Sequence, residues 1–179
     1  MPEVKVTWNS AEFSRKAELF ERALYSEIKN AALAVRTLFR KDARELFGSQ
    51  GSSGKHGRWA ALSPNYKRWK DRHYPGQGIM VLSGKLQDSL TRDADGSTFR
   101  VVKSGNRYIV SIGTDVNADG FDYPSYHQER AKKRRRTIDP KEETWNRWAQ
   151  ILQNGVITKG KQTLFDVATA TKAAQVRNV

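Results

Sequence analysis

From Phe13 to Leu46 apolar side chains recur at three- and four-residue spacing: Phe13, Ala17, Phe20, Leu24, Ile28, Ala31, Val35, Phe39 and Leu46. That period belongs to a helix with one dry stripe, and Arg15, Lys16, Glu21, Arg22, Lys29, Arg36 and Arg40 largely occupy its other faces. Asn9 stands where an N-cap is wanted, and Glu12 follows three positions on as the reciprocal capping acid. Gly48 stands where a left-handed C-cap ends a helix. The pattern predicts one helix over 10–47, roughly 55 Å long at 1.5 Å per residue and longer than a domain of this size is wide. Such a helix either bends near Asn30 or packs its overhang on another subunit. We expect the second.

Beyond Gly48 the signals are shorter. Ser49–Gly57 is rich in Gly and Ser and predicts a mobile loop. Ser63 and Pro64 suit the cap and first position of a short helix through Asp71, and Tyr74–Gly78 reads as a turn. Ser83 is the expected cap of a second short helix through Leu90, burying Leu82, Leu86 and Leu90. Phe99–Val102 and Tyr108–Ile112 flank Ser104-Gly105-Asn106, which is a hairpin signal. Lys132–Ile138 is compatible with a further strand or an exposed loop. Asp139-Pro140 starts a helix with Glu142 and Glu143 in its first turn, an apolar face of Trp145, Trp148, Ile151 and Leu152, and Gly155 as its stop. The reading is an α+β fold: a long N-terminal helix packed on a small antiparallel β-sheet, with short helices and a further C-terminal helix. Residues 1–155 form the domain and 156–179 a tail, a weak helix or a segment ordered by assembly.

The 179 residues carry a formal net charge of +13 and no cysteine. Disulfides, thiolate metal sites and cysteine nucleophiles are thereby excluded. The charge favours anionic neighbours of some kind, whether nucleic acid, acidic protein rims or anionic lipid. No apolar window reaches the ~20 residues of a membrane span and no signal-peptide core is present, so a soluble, cytoplasmically made chain is expected. Its sharpest charged feature is Arg130-Ala131-Lys132-Lys133-Arg134-Arg135-Arg136. Clustered Arg and Lys can neutralise phosphates without reading bases, or dock on an acidic subunit, and the sequence leaves both open.

Three motifs that invite a chemical reading fail on their details. Gly54-Lys55 is not a phosphate-binding loop, because Ser49 replaces its first Gly and His56 its metal-binding hydroxyl residue. Asp115-Val116-Asn117-Ala118-Asp119-Gly120 alternates oxygen ligands as a calcium loop does, but Tyr126 stands where the bidentate acid belongs. An ordinary turn is the simpler account. His127 lacks a partner acid in register, and three histidines without cysteine argue against catalytic zinc. A His-Gln pair on a short helix more commonly hydrogen-bonds backbone at a sheet edge or a subunit contact. Of Trp59, Trp69, Trp145 and Trp148, most are expected in the core. Catalytic residues, cofactors and metals are therefore not expected.

Taken in order, Trp59-x-x-Leu62, Val81-Leu82-Ser83-Gly84-x-Leu86-x-x-Ser89, Ile112-Gly113-Thr114 and Tyr123-x-x-x-His127-Gln128 resemble the phage virion-morphogenesis (tail-completion) family of contractile-tailed phages and prophages. More distantly the chain is similar to head–tail joining proteins. The likeness runs over roughly residues 10–155. It departs where the family places a Gly after the His-Gln pair and then Pro-x-Arg-x-Phe; here stand Glu129-Arg130 and Arg136–Pro140. The resemblance implies a non-enzymatic virion component of the neck or the head-proximal end of the tail. It also implies a homo-oligomeric ring, hexameric or dodecameric, that meets portal or connector and tail-tube or tail-terminator proteins and no membrane. Tyr123, Tyr126, His127 and Gln128 become subunit or partner contacts. Arg130, Lys132, Lys133, Arg134, Arg135 and Arg136 become contacts to an acidic partner or to genomic DNA in the lumen. The alternative is a free-standing, non-specific basic nucleic-acid-binding protein.

Overall fold

The computed structural model describes residues 10–105, 107–117, 123–130 and 135–157. They form the α+β architecture read from the sequence. Helix α1 (Ser10–Gly48) is followed by α2 (Pro64–His73), α3 (Lys85–Thr91), the strands β1 (Ser97–Ser104) and β2 (Arg107–Thr114), and α4 (Tyr123–Ser125). A π-helical turn, Tyr126–Arg130, continues α4, and α5 covers 142–157. The chain divides into two compact units, residues 32–149 and a second unit that joins residues 1–31 with 150–179. The proposed Asn9 cap and most of the 156–179 tail lie outside the described residues.

In the 32–149 unit the core grows from the C-terminal part of the α1 stripe. Ala32, Val35, Phe39, Ala43, Leu46 and Phe47 are buried and are joined by Trp59, Met80, Val81, Leu86, Leu90 and Trp148. Phe47 meets Trp59 edge-on at 5.2 Å, and Phe39 meets Trp148 at 5.9 Å. Burying each such side chain contributes about 1.5–3 kcal/mol relative to leaving it exposed. Helix α1 reaches the hairpin through Arg36, whose guanidinium lies 4.9 Å from the Phe99 ring centre, while Arg36 and Arg40 share the Asp93 carboxylate. Those two hydrogen bonds, Arg40 first, hold Asp93 below the ordinary carboxylate range. Pairing runs antiparallel from Ser97 opposite Thr114 to Ser104 opposite Arg107, with Gly105 in the left-handed region at the turn. Val102 and Ile109, opposite each other, are both about half exposed.

Local chemistry corrects several sequence expectations. Ser63 caps α2 as read, accepting the Tyr66 N–H at 3.4 Å, and Tyr74 closes it through a 2.7 Å bond to the Lys70 carbonyl. Ser83 does not cap α3: Gly84, with φ +83°, occupies the cap position, and the exposed Leu82 yields its expected place in the core to Val81. The Ser49–Gly57 loop is pinned rather than loose. Gly51 N–H reaches the Leu46 carbonyl at 2.8 Å, and Trp59 N–H reaches that of Gln50 at 2.9 Å. Two of its glycines permit close approach, since a Cβ on Gly51 would fall 2.5 Å from the Trp59 ring and one on Gly54 2.6 Å from the Asp139 carboxylate. Trp69 and Trp145 are exposed, so only half of the four tryptophans considered are core.

In the other unit the burial of the same α1 stripe fades toward its N-terminal end, with Leu24 and Phe20 half-buried. Ile28 and Ala31 are buried, but Phe13 is 62% exposed and Ala17 is exposed as well. Gly155 does not stop α5, which runs through it to residue 157. It is instead a point of close approach to α1: a Cβ there would sit 2.7 Å from the Ala31 methyl. Gly→Ala inside a helix ordinarily stabilises by up to about 1 kcal/mol. Here the clash reverses the sign, and Gly155→Ala should destabilise by about 1–3 kcal/mol in a denaturant titration.

Candidate functional site

The residues that carry the sequence signatures fall together in two hydrogen-bonded pairs. The first joins α3 to β2. Ser89 Oγ donates to the Leu86 carbonyl at 2.9 Å, so the 2.7 Å contact with Thr114 Oγ1 has Thr114 as donor. Thr114 Oγ1 in turn accepts the Val116 N–H at 3.2 Å, which turns the chain out of the strand. Ser97 Oγ reaches the Ser89 carbonyl at 2.7 Å from the other strand. Ser89 is almost fully buried, so these hydroxyl bonds satisfy groups that would be expensive to leave dry and unpaired.

The second pair joins the Tyr123–Gln128 element to Trp59 through the extended chain at 135–138. The Gln128 side-chain oxygen accepts the N–H groups of Thr137 at 3.0 Å and Ile138 at 3.3 Å, while its amide donates to the Ile138 carbonyl at 2.7 Å. A glutamine side chain thus serves a backbone segment as a neighbouring strand would. The His127 carbonyl accepts the Arg135 N–H at 3.2 Å. On the far side of this segment the Trp59 indole donates to the Arg136 carbonyl at 2.8 Å. Arg135 donates to the carbonyls of Ala60 at 2.9 Å and Ala61 at 3.2 Å.

Arg135 and Arg136, read from sequence as facing DNA or an acidic partner, therefore engage their own chain. Lys132, Lys133 and Arg134 lie outside the described residues, and Arg130 is described only as the backbone end of the π-helical turn. Tyr123 opens α4. Tyr126 is 40% exposed and stands edge-on to the His127 ring at 5.3 Å. Burial, and then the charge of Arg135, hold His127 below its ordinary pKa. Neutral imidazole is thus the folded-state form at pH 7.

Asp139, read from the sequence as the start of a helix that in fact begins at residue 142, fastens the Ser49–Gly57 loop. Its carbonyl accepts the Lys55 N–H at 3.0 Å, and its nearly buried carboxylate accepts the His56 N–H at 2.9 Å and faces His56 Nδ1 at 2.6 Å. The 83-residue separation of the two partners left no local signal. An Asp–His pair is the orienting half of a catalytic triad, but the nucleophile half is missing among the described residues. Arg136 lies against the imidazole, and Ser49 and Ser53 bond each other at 3.0 Å. Beside this clamp is a cavity of about 200 Å³ lined by Phe39, Asp42, Leu46, Gly54, Asp139 and Trp148. Burial pushes the Asp42 carboxyl up, against the pull of Arg147 and Lys41 and of the Trp148 indole, which closes no hydrogen bond of ordinary geometry with it.

Among the described residues no group of three His, Cys, Asp or Glu could hold a metal ion, and no helix is long and apolar enough to cross a membrane. Of the Asp115–Gly120 loop, residues 118–120 lie outside the described residues. No protein-family model, curated protein or solved structure matches this chain.

The depressed His127 gives a pH prediction. In the folded chain it stays neutral below its ordinary value of 6.5, while the unfolded chain takes up the proton there. Stability therefore falls as pH drops from 6.5 toward the folded-state value. Asp42, raised above 3.8, acts oppositely, gaining stability as pH falls through its folded value. Thermal melting of His127→Gln between pH 7 and 5.5 should show a smaller acid loss than the parent chain.

Proposed function

We propose that this chain is a structural assembly protein of a phage or prophage particle. It acts at the neck or the head-proximal end of the tail as one subunit of an oligomeric ring, is made in the bacterial cytoplasm, and performs no catalysis. One observation carries the reading. A single helix presents one apolar stripe, whose C-terminal part is buried in this chain while Phe13 and Ala17 at its start are exposed. A solvent-facing stripe continuous with a core is a surface that a neighbouring copy can cover.

The signature residues support the same role, because they act as scaffold. Ser89 and Thr114 fix the hairpin against α3, and Gln128 fixes the segment at 135–138. The exposed Tyr126 beside that segment offers an aromatic anchor for a neighbouring subunit, portal or tail-tube protein. The formal net charge of +13 suits a ring around DNA, because a positive wall tolerates any sequence.

Because Phe13 and Ala17 are exposed, Phe13→Glu combined with Ala17→Glu should leave the thermal midpoint within a few degrees. In sedimentation experiments over a concentration series the parent chain should self-associate, and the double variant should do so at least about tenfold more weakly. A parent chain that assembles equally well with both glutamates in place would remove the stripe from the interface.

A further inference from the structure

Helix α2 carries a column of aromatic rings on its surface. Tyr66 and Trp69 stack with ring centres 5.5 Å apart and planes 20° apart, Trp69 and His73 stack at 4.9 Å and 27°, and Tyr74 tilts against Trp69 at 5.8 Å. The helical period builds the column, since positions 66, 69 and 73 share one face and Tyr74 is the C-cap just beyond. The rings are not core: Tyr66, Trp69 and Tyr74 are 43%, 41% and 37% exposed. Lys70 alone on this helix turns inward, its ammonium bonded to the Gly78 carbonyl, which anchors the helix from beneath.

The charges around the column are almost all of one sign. Lys67, Arg68 and Arg72 are exposed on the same ten residues, and the single acid, Asp71, is paired with Lys67. Arg68 is steadied by Asn65 Oδ1 at 2.6 Å. An apolar protein partner would cover the rings but would have to desolvate guanidinium groups at their margin. A duplex would satisfy the cations but offers no open base faces to the rings. An unpaired nucleic-acid strand matches both features at once, with flat π faces to stack and a phosphate for each nucleotide.

We propose that α2 is a stacking platform for single-stranded nucleic acid. An unpaired base extends the Tyr66–Trp69–His73 column, and Arg68 and Arg72 take the flanking phosphates. Recognition is tolerant of sequence, because every base has a face. The proposal does not rest on the ring reading: it stands if the chain proves monomeric.

The test is fluorescence anisotropy of the full chain with labelled oligo(dT) and with a duplex of equal length, over a salt series. Trp69→Ala should weaken oligo(dT) binding about tenfold and leave duplex binding unchanged. Trp69→Phe should restore most of the loss. The Arg68→Gln, Arg72→Gln double variant, which keeps every ring, should flatten the salt dependence of log K by about 1.4, roughly 0.7 for each phosphate contact removed. The proposal fails if strand and duplex bind alike and Trp69→Ala changes neither, since charge alone then accounts for binding. It fails equally if oligo(dT) does not bind at low salt, which would make the column a protein contact.

Discussion

A 39-residue amphipathic helix sets a requirement that the rest of the molecule answers only in part. Its apolar stripe must be covered along its whole length or face water. From Ala32 to Phe47 the chain buries the stripe itself, with Trp59 against Phe47 and Trp148 against Phe39. Toward the N-terminal end burial fades, through half-buried Leu24 and Phe20 to exposed Ala17 and Phe13. The hydrophobic effect acts on both parts alike, and association can bury the exposed apolar surface further. That imbalance, more than any cluster of reactive side chains, is why we read the protein as something that assembles.

The segments without helical or strand periodicity are held by polar clamps. Gln128 replaces a strand, Asp139 fastens the Lys55–His56 backbone, and Arg135 and the Trp59 indole lock the segment at 135–138 from its other side. Each clamp satisfies backbone groups that would otherwise lose water without a partner. The Asp139–His56 pair belongs with these. Arg136 lies against its imidazole, and the pair positions the loop.

Elements governed by local rules were legible in the sequence. The span of α1, the Ser63-Pro64 start of α2 and the hairpin follow from periodicity, capping and turn chemistry, and the structure carries them. Gly48, expected as a left-handed cap, instead stays within α1, and the left-handed residues follow it at Gln50 and Gly51. What was missed depends on neighbours distant in the chain. Gly51, Gly54 and Gly155 look like flexibility or stop signals, whereas their lack of a side chain is used for contact with Trp59, Asp139 and Ala31. Leu82 and Val81 are interchangeable by hydropathy, and only the fold shows that Val81 is the buried one. Trp69 fits a core as well as a surface column until the stacking of Tyr66 and His73 is seen. In the candidate site, the backbone-bonding role of Gln128 was readable, but not the inward turn of Arg135 onto the Ala60 carbonyl, 75 residues away, or of Arg136 onto the His56 ring, 80 residues away.

Both proposals assign function to surfaces of this chain, one to an open stripe and one to an aromatic column. The stripe is the central claim, and amide hydrogen exchange across α1 tests it most directly. In the dilute chain, residues 11–27 should exchange much faster than 32–47, and raising the concentration until the chain assembles should protect 11–27 selectively. Equal protection of both halves at the lowest concentration, or no gain on assembly, would contradict the account.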